Sequence, residues 1–133
     1  MRSRLPRRIK FVGAQLQRLS DNQCLARVQL QQAGSGSYVG TAVGASPDDE
    51  GLCATAKATA AALMQAMGRD HSLEVHDVKL FHAFGQSAVL VELGAKQQER
   101  NQEVMGFCVA GGDPTRATAL AVLNATNRVL DAG

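Results

Sequence analysis

The chain predicts an α+β fold made of two strand-strand-strand-helix (βββα) units, and three observations lead there. Three β-type runs precede an alanine-rich helical run, and the same order then recurs. Strings match between the halves: Val28 to Leu30 with Val91 to Leu93 and Ala54-Thr55 with Ala117-Thr118, each 63 positions apart, and Gly40 and Val43 with Gly106 and Val109, 66 apart. Each helical run is entered through a glycine-bearing turn, "VGASPDDEG" and "AGGDP". Residues 9–133 are expected to form one domain, with repeats over about 9–68 and 72–130 related by an approximate twofold axis, behind a basic arm at 1–8.

"RIKFVGAQLQRLS" reads as the first strand, with broken alternation: Ile9 and Phe11 to one side, Val12, Ala14 and Leu16 to the other. Asp21 to Gln23 is a turn. "CLARVQLQQ" is a half-buried strand facing inward with Cys24, Ala26, Val28 and Leu30. "AGSGS" is a hairpin loop, and "YVGTAVGA" is the third strand. "LCATAKATAAALMQAM" is a helix whose one buried face is Leu52, Ala56, Ala60, Leu63 and Met67, stopped by Gly68. "SLEVHDVKLFHAF", "SAVLVELGA" and "VMGFCVAG" are the next three strands, with a turn at Gly85-Gln86 and a long polar hairpin loop over 96–103. Asp113 is placed to cap the last helix and Pro114 to open it. Ala119, Val122, Leu123, Thr126, Val129 and Leu130 make its main face.

Composition narrows the function. With 133 residues, no Trp, one Tyr and four Phe, the core must be Val, Leu, Ala and Met. The consecutive Val89, Leu90 and Val91 predict that both faces of their strand are covered, and a homodimer is the expected way to do it. Arg2, Arg4, Arg7, Arg8 and Lys10 precede the first acid; without them the formal charge of +2 becomes −3. That arm is either a solvated tail or a contact for nucleic acid or a membrane surface. Cys24, Cys53 and Cys108 are odd in number with no CxxC spacing, which fits buried free thiols in a reducing compartment. No run approaches the ~20 apolar residues of a membrane helix, and no secretory pattern follows the N-terminus, so the expected location is cytoplasmic, with no membrane partner.

No convergent acid, base and nucleophile set stands out, so no enzyme activity and no cofactor are expected. His71, His76 and His82 have no metal-ligand spacing, although His76 and His82 share strand parity. Cys53, near a helix start, lacks the pattern of a nucleophile. Asn124 and Asn127 read as backbone hydrogen-bonders or subunit contacts, and Lys57 as solvated.

The last helix carries a resemblance. "DPTRATALAVLNATNRVL", with Asp113, Ala117, Thr118, Ala121, Leu123, Asn124, Ala125, Asn127 and Arg128 at matched positions, is similar to the second helix of the C-terminal regulatory domain of the 2-isopropylmalate synthase and citramalate synthase family. "VGASPDDEGLCATAKA" resembles the entry to that domain's first helix, with a looser turn. The resemblance implies two βββα units, dimerisation and binding of a feedback amino acid. The family's catalytic barrel, typically ~250 residues, has no room in this chain, so a free-standing regulatory or assembly module is expected, with a partner enzyme possible.

Helix N-termini after glycines expose N–H groups and partial positive charge that can hold a carboxylate. The candidate ligand positions are Gly44, Ala45 and Asp48 at the first turn, and Gly111, Gly112, Asp113, Thr115, Ala117 and Thr118 at the second. On this reading Gly112→Val blocks the ligand and spares the fold; the alternative is that Asp113 only caps and the glycines only turn. "ATAKATAAALMQAM" also looks like the last helix of a double-stranded-RNA-binding domain, but "PDDEG" would repel phosphate. The nucleic-acid alternative therefore rests on the arm: Arg2, Arg4, Arg7, Arg8 and Lys10.

Overall fold

The computed structural model describes residues 9–34, 36–45, 51–68 and 71–132, the side chains of 128–132 excepted. The elements run β1 (Ile9–Ser20), β2 (Gln23–Gln32), β3 (Gly36–Gly44), α1 (Gly51–Met67), β4 (His71–Ala83), β5 (Gln86–Gln97), β6 (Arg100–Val109) and α2 (Pro114–Ala132). The strands form two antiparallel three-stranded sheets, ordered β1-β2-β3 and β4-β5-β6, each followed by its helix. This is the expected α+β layout. α1 packs on β2 and β3, α2 on β5 and β6; each helix also touches the other helix and the first strand of the other sheet.

The two units agree in fine detail. β2 turns Cys24, Ala26, Val28 and Leu30 inward, all with no exposed surface. β5 does the same with Val89, Val91 and Leu93. Burying one such valine or leucine contributes ~1.5–3 kcal/mol. A bulge interrupts β1 between Phe11 and Gly13, opposite Leu30 and Gln29; another interrupts β4 between Val75 and Asp77, opposite Leu93 and Glu92. These are matching places in the two ladders. One extra residue reverses the side to which the following side chains point. The bulge therefore gathers Phe11, Ala14 and Leu16 on the core, and Val12 and Leu19 are left exposed.

The helices depart from the sequence expectation. α1 was expected to bury one face, but Ala54, Thr55, Ala56, Ala58, Thr59, Ala60, Ala62 and Leu63 are all buried. Packing by two strands of its own sheet, by β4 and by α2 surrounds it, and alanine lets each neighbour approach. The approach is closest at Gly40 and Gly106. A Cβ built on Gly40 would lie 2.6 Å from the Ala62 amide nitrogen and nearer still to the Ala58 carbonyl oxygen. On Gly106 it would lie 2.8 Å from the Ala125 nitrogen and nearer still to the Ala121 oxygen. Both strands thus meet the helix backbone where only glycine fits. Thr55 donates to the Gly51 carbonyl and Thr118 to the Pro114 carbonyl, each at 2.8 Å, so both buried hydroxyls are satisfied one turn back.

Residues 96–103 are not a long loop. β5 runs to Gln97 and β6 starts at Arg100, with Lys96 paired to Asn101 and Gln97 to Arg100. Only Gln98 and Glu99 turn the chain, Gln98 at φ 56°. The hairpin is polar because it is exposed, and ladder hydrogen bonds form whatever the side chains are. The other hairpin of this sheet turns through Phe84 at φ 55° and Gly85 at φ 74°, one residue before the expected Gly85-Gln86.

Candidate functional site

The start of α2 is the better-defined of the two candidate turns. Gly111 and Gly112 adopt φ 58° and 92°, both exposed, and nothing lies within 4 Å of a Cβ built on either. Asp113 follows as the N-cap: its Oδ1 accepts the Arg116 amide at 3.1 Å and its carbonyl the Ala117 amide at 3.0 Å. Pro114 has no N–H. Among the described residues this leaves the Thr115 amide as the first-turn donor without a protein partner. Ala117 and Thr118 are buried, and the Thr118 hydroxyl is committed to Pro114; neither side chain faces an incoming ligand. Gly112 is also a poor position for a blocking variant. At φ 92° an L side chain is strained, so Gly112→Val disturbs the turn as well as the space in front of it.

At the other turn Gly44 ends β3, partly buried and paired with Cys24, and Ala45 is exposed. Asp48 lies outside the described residues, as do Arg2, Arg4, Arg7 and Arg8 of the arm; Lys10 is exposed on β1. Gly51 opens α1 against the Leu16 side chain, while Arg116 of α2 sits 5.6 Å over the Phe11 ring. Both helix starts therefore border β1, at points five strand residues and ~16 Å apart. Each is a candidate by itself.

Other chemistry-bearing groups fall elsewhere. His82 and Ser87 face each other across the β4–β5 hairpin, ring nitrogen to hydroxyl at 2.7 Å. The pair is exposed, and among the described residues no carboxylate hydrogen-bonds His82, so the contact ties hairpin strands together. Register reveals this pair; sequence spacing of five does not. His76, the bulge residue, packs its ring on Gly94 of the outer face, with Nδ1 3.1 Å from Glu103 and Nε2 3.7 Å from Glu74. A half-open depression lies there between Glu74, His76, Gly94, Lys96, Asn101 and Glu103. The bulge puts His76 and His82 on opposite faces of the sheet despite their shared parity. His71 has a buried Nδ1 with no partner among the described residues. Asn124 accepts the Phe107 amide at 3.2 Å, and Gln65 donates to the Val39 carbonyl at 2.7 Å, so each helix ties a side-chain amide to its own edge strand.

Cys24 is buried, whereas Cys53 and Cys108 are partly exposed. Among the described residues no group of three His, Cys, Asp or Glu side chains converges for a metal ion, and no helix is long and apolar enough to cross a membrane.

The outer faces of the two sheets differ. On β4-β5-β6 the register aligns Phe81, Ala88 and Val109 in one row, Lys79, Leu90 and Phe107 in the next, then Asp77, Glu92 and Met105, and finally Glu74, Gly94 and Glu103. The Phe81 and Phe107 rings meet at a tilt of 40°, their centroids 6.1 Å apart. Phe107, Met105 and Val109 are each 48% exposed, so the second face of β5's sheet is not covered by the described chain. On β1-β2-β3 the matching rows are Gln17, Leu25 and Val43; Gln15, Arg27 and Thr41; Gly13, Gln29 and Val39; and Lys10, Gln31 and Ser37. A scan against protein-family models finds no match, and a search of the curated proteins finds none.

Proposed function

We propose that the chain is a small non-catalytic regulatory or assembly module, a homodimer or larger, that binds a small amino-acid-like carboxylate at the start of α2. The observation that supports this most is the turn itself: two left-handed glycines open the space before a helix whose Thr115 amide is uncommitted. A carboxylate there meets the N–H and the positive end of the helix. The Asp113-to-Arg128 pattern, similar to the regulatory domain of the 2-isopropylmalate synthase and citramalate synthase family, points to the same ligand class, and the matched bulges and glycine contacts support two units about a pseudo-twofold axis.

The test is a thermal-shift screen of amino acids and short 2-keto acids on the full chain. One class is expected to raise the melting temperature. Asp113→Asn keeps a capping side chain but removes a negative charge beside the ligand, so it should bind that carboxylate more tightly than the parent. A flat screen rejects the reading; an equal response from Asp113→Asn moves the site away from this turn.

A further inference from the structure

We infer that copies of this chain associate through unlike sheets, the outer face of β1-β2-β3 on one copy stacking on the outer face of β4-β5-β6 on the next. This rests on the self-association proposed above and specifies its surfaces.

Charge separates the two faces. The rows of the first sheet's outer face carry Lys10 and Arg27 and no carboxylate. Those of the second carry Glu74, Asp77, Glu92 and Glu103 against Lys79, with Lys96 one step beyond. The largest apolar groups also lie at matching ends: Leu25 and Val43 on the first face, where Val12 and Val39 stand nearer the other end, and Phe81, Ala88 and Val109 on the second. At the opposite end the first has Lys10 and the second has Glu74 and Glu103 around the half-open depression.

Two second sheets packed on each other meet badly. With like ends together, Glu74 faces Glu103 and Glu92 faces its own copy; with ends reversed, Phe81 and Val109 lie over Glu74 and Glu103. Two first sheets with like ends together bring Arg27 against its own copy and Lys10 over Ser37, with no carboxylate in these rows for either. Only the unlike pair sets the basic side chains of one face against the carboxylates of the other while Leu25 and Val43 meet apolar partners. Aligned face-to-face stacking of sheets ~10 Å apart, like ends together, reverses the strand order, so β1 lies over β6, β2 over β5 and β3 over β4. Lys10 then faces Glu103, Val43 faces Phe81, and Leu25 faces Ala88. Arg27 lays its stem on Leu90 and reaches Glu92 with its guanidinium, as long basic side chains do. Such a contact is heterologous: in each pair one copy keeps its second sheet free and the other its first, so association continues beyond two unless a ring closes. It also weakens with salt.

Sedimentation of the full chain tests this with one variant for each face. Lys10→Glu/Arg27→Glu blocks the first sheet, and Phe107→Glu blocks the second; all three positions are exposed, and unchanged melting checks the fold. The parent should form species larger than a dimer that shrink in high salt. Each variant alone should be a monomer, and their equimolar mixture should give a one-to-one dimer and nothing larger, because each supplies the face the other lacks. A parent that stays monomeric rejects self-association itself. A parent that associates while Lys10→Glu/Arg27→Glu associates equally well, or a mixture that stays monomeric, rejects the pairing of unlike sheets alone.

Discussion

On the helix-covered side, Val28 and Leu30 of the first sheet stand at the register positions of Val91 and Leu93 of the second, and all four have no exposed surface. On the outer side the same comparison pairs Arg27 with Leu90, Thr41 with Phe107 and Gln17 with Phe81. The inner positions are held by the helix, which lies against the glycine of each edge strand and leaves no tolerance for a different volume. Within the described chain the outer faces touch no further layer, so they are free to differ. That difference places an acidic surface with exposed phenylalanines on one unit and a basic, glutamine-rich surface with exposed aliphatic residues such as Val43 on the other.

The largest expected effect tests the inner match. Gly40→Ala and Gly106→Ala each push a methyl into helix backbone, which cannot rotate away, and each should cost about 3 kcal/mol in urea unfolding. The comparison predicts equal losses; one tolerated substitution would mean that the two helix–sheet contacts are not equivalent. Next comes the cap. Asp113→Ala removes the acceptor of the Arg116 amide and should cost ~1 kcal/mol in a thermal melt. The smallest effect tests the outer difference. Leu90→Arg with Phe107→Thr rewrites the second outer face in the residues of the first, and monomer stability should move by no more than ~0.5 kcal/mol per site. A large loss there would show that the outer face is part of the core after all.

Part of the candidate site was legible and part was not. The Asp113 cap and the Pro114 helix start follow from local chemistry, because a carboxylate two to three residues ahead of free amides satisfies them whatever surrounds the helix. That Thr118 turns its hydroxyl back to Pro114 and is buried, and that Gly112 sits at φ 92° and cannot accept valine without strain, depend on packing and backbone angle. The His82–Ser87 contact depends on hairpin register.

By itself the amino-acid sequence determined the order and type of the eight elements, the inward set of β2 and the internal duplication, since periodicity, turn residues and repeated strings are local properties. Tertiary structure alone decided that a bulge gathers Phe11, Ala14 and Leu16 on one face, that 96–103 continues the ladder, that α1 is enclosed on several sides, and that Met105, Phe107 and Val109 stay exposed on the outer face of the second sheet. Each of these depends on which strand pairs with which, at what register, and on what the helix meets beyond its own sheet. Such contacts join residues far apart in the chain, and no local pattern encodes them.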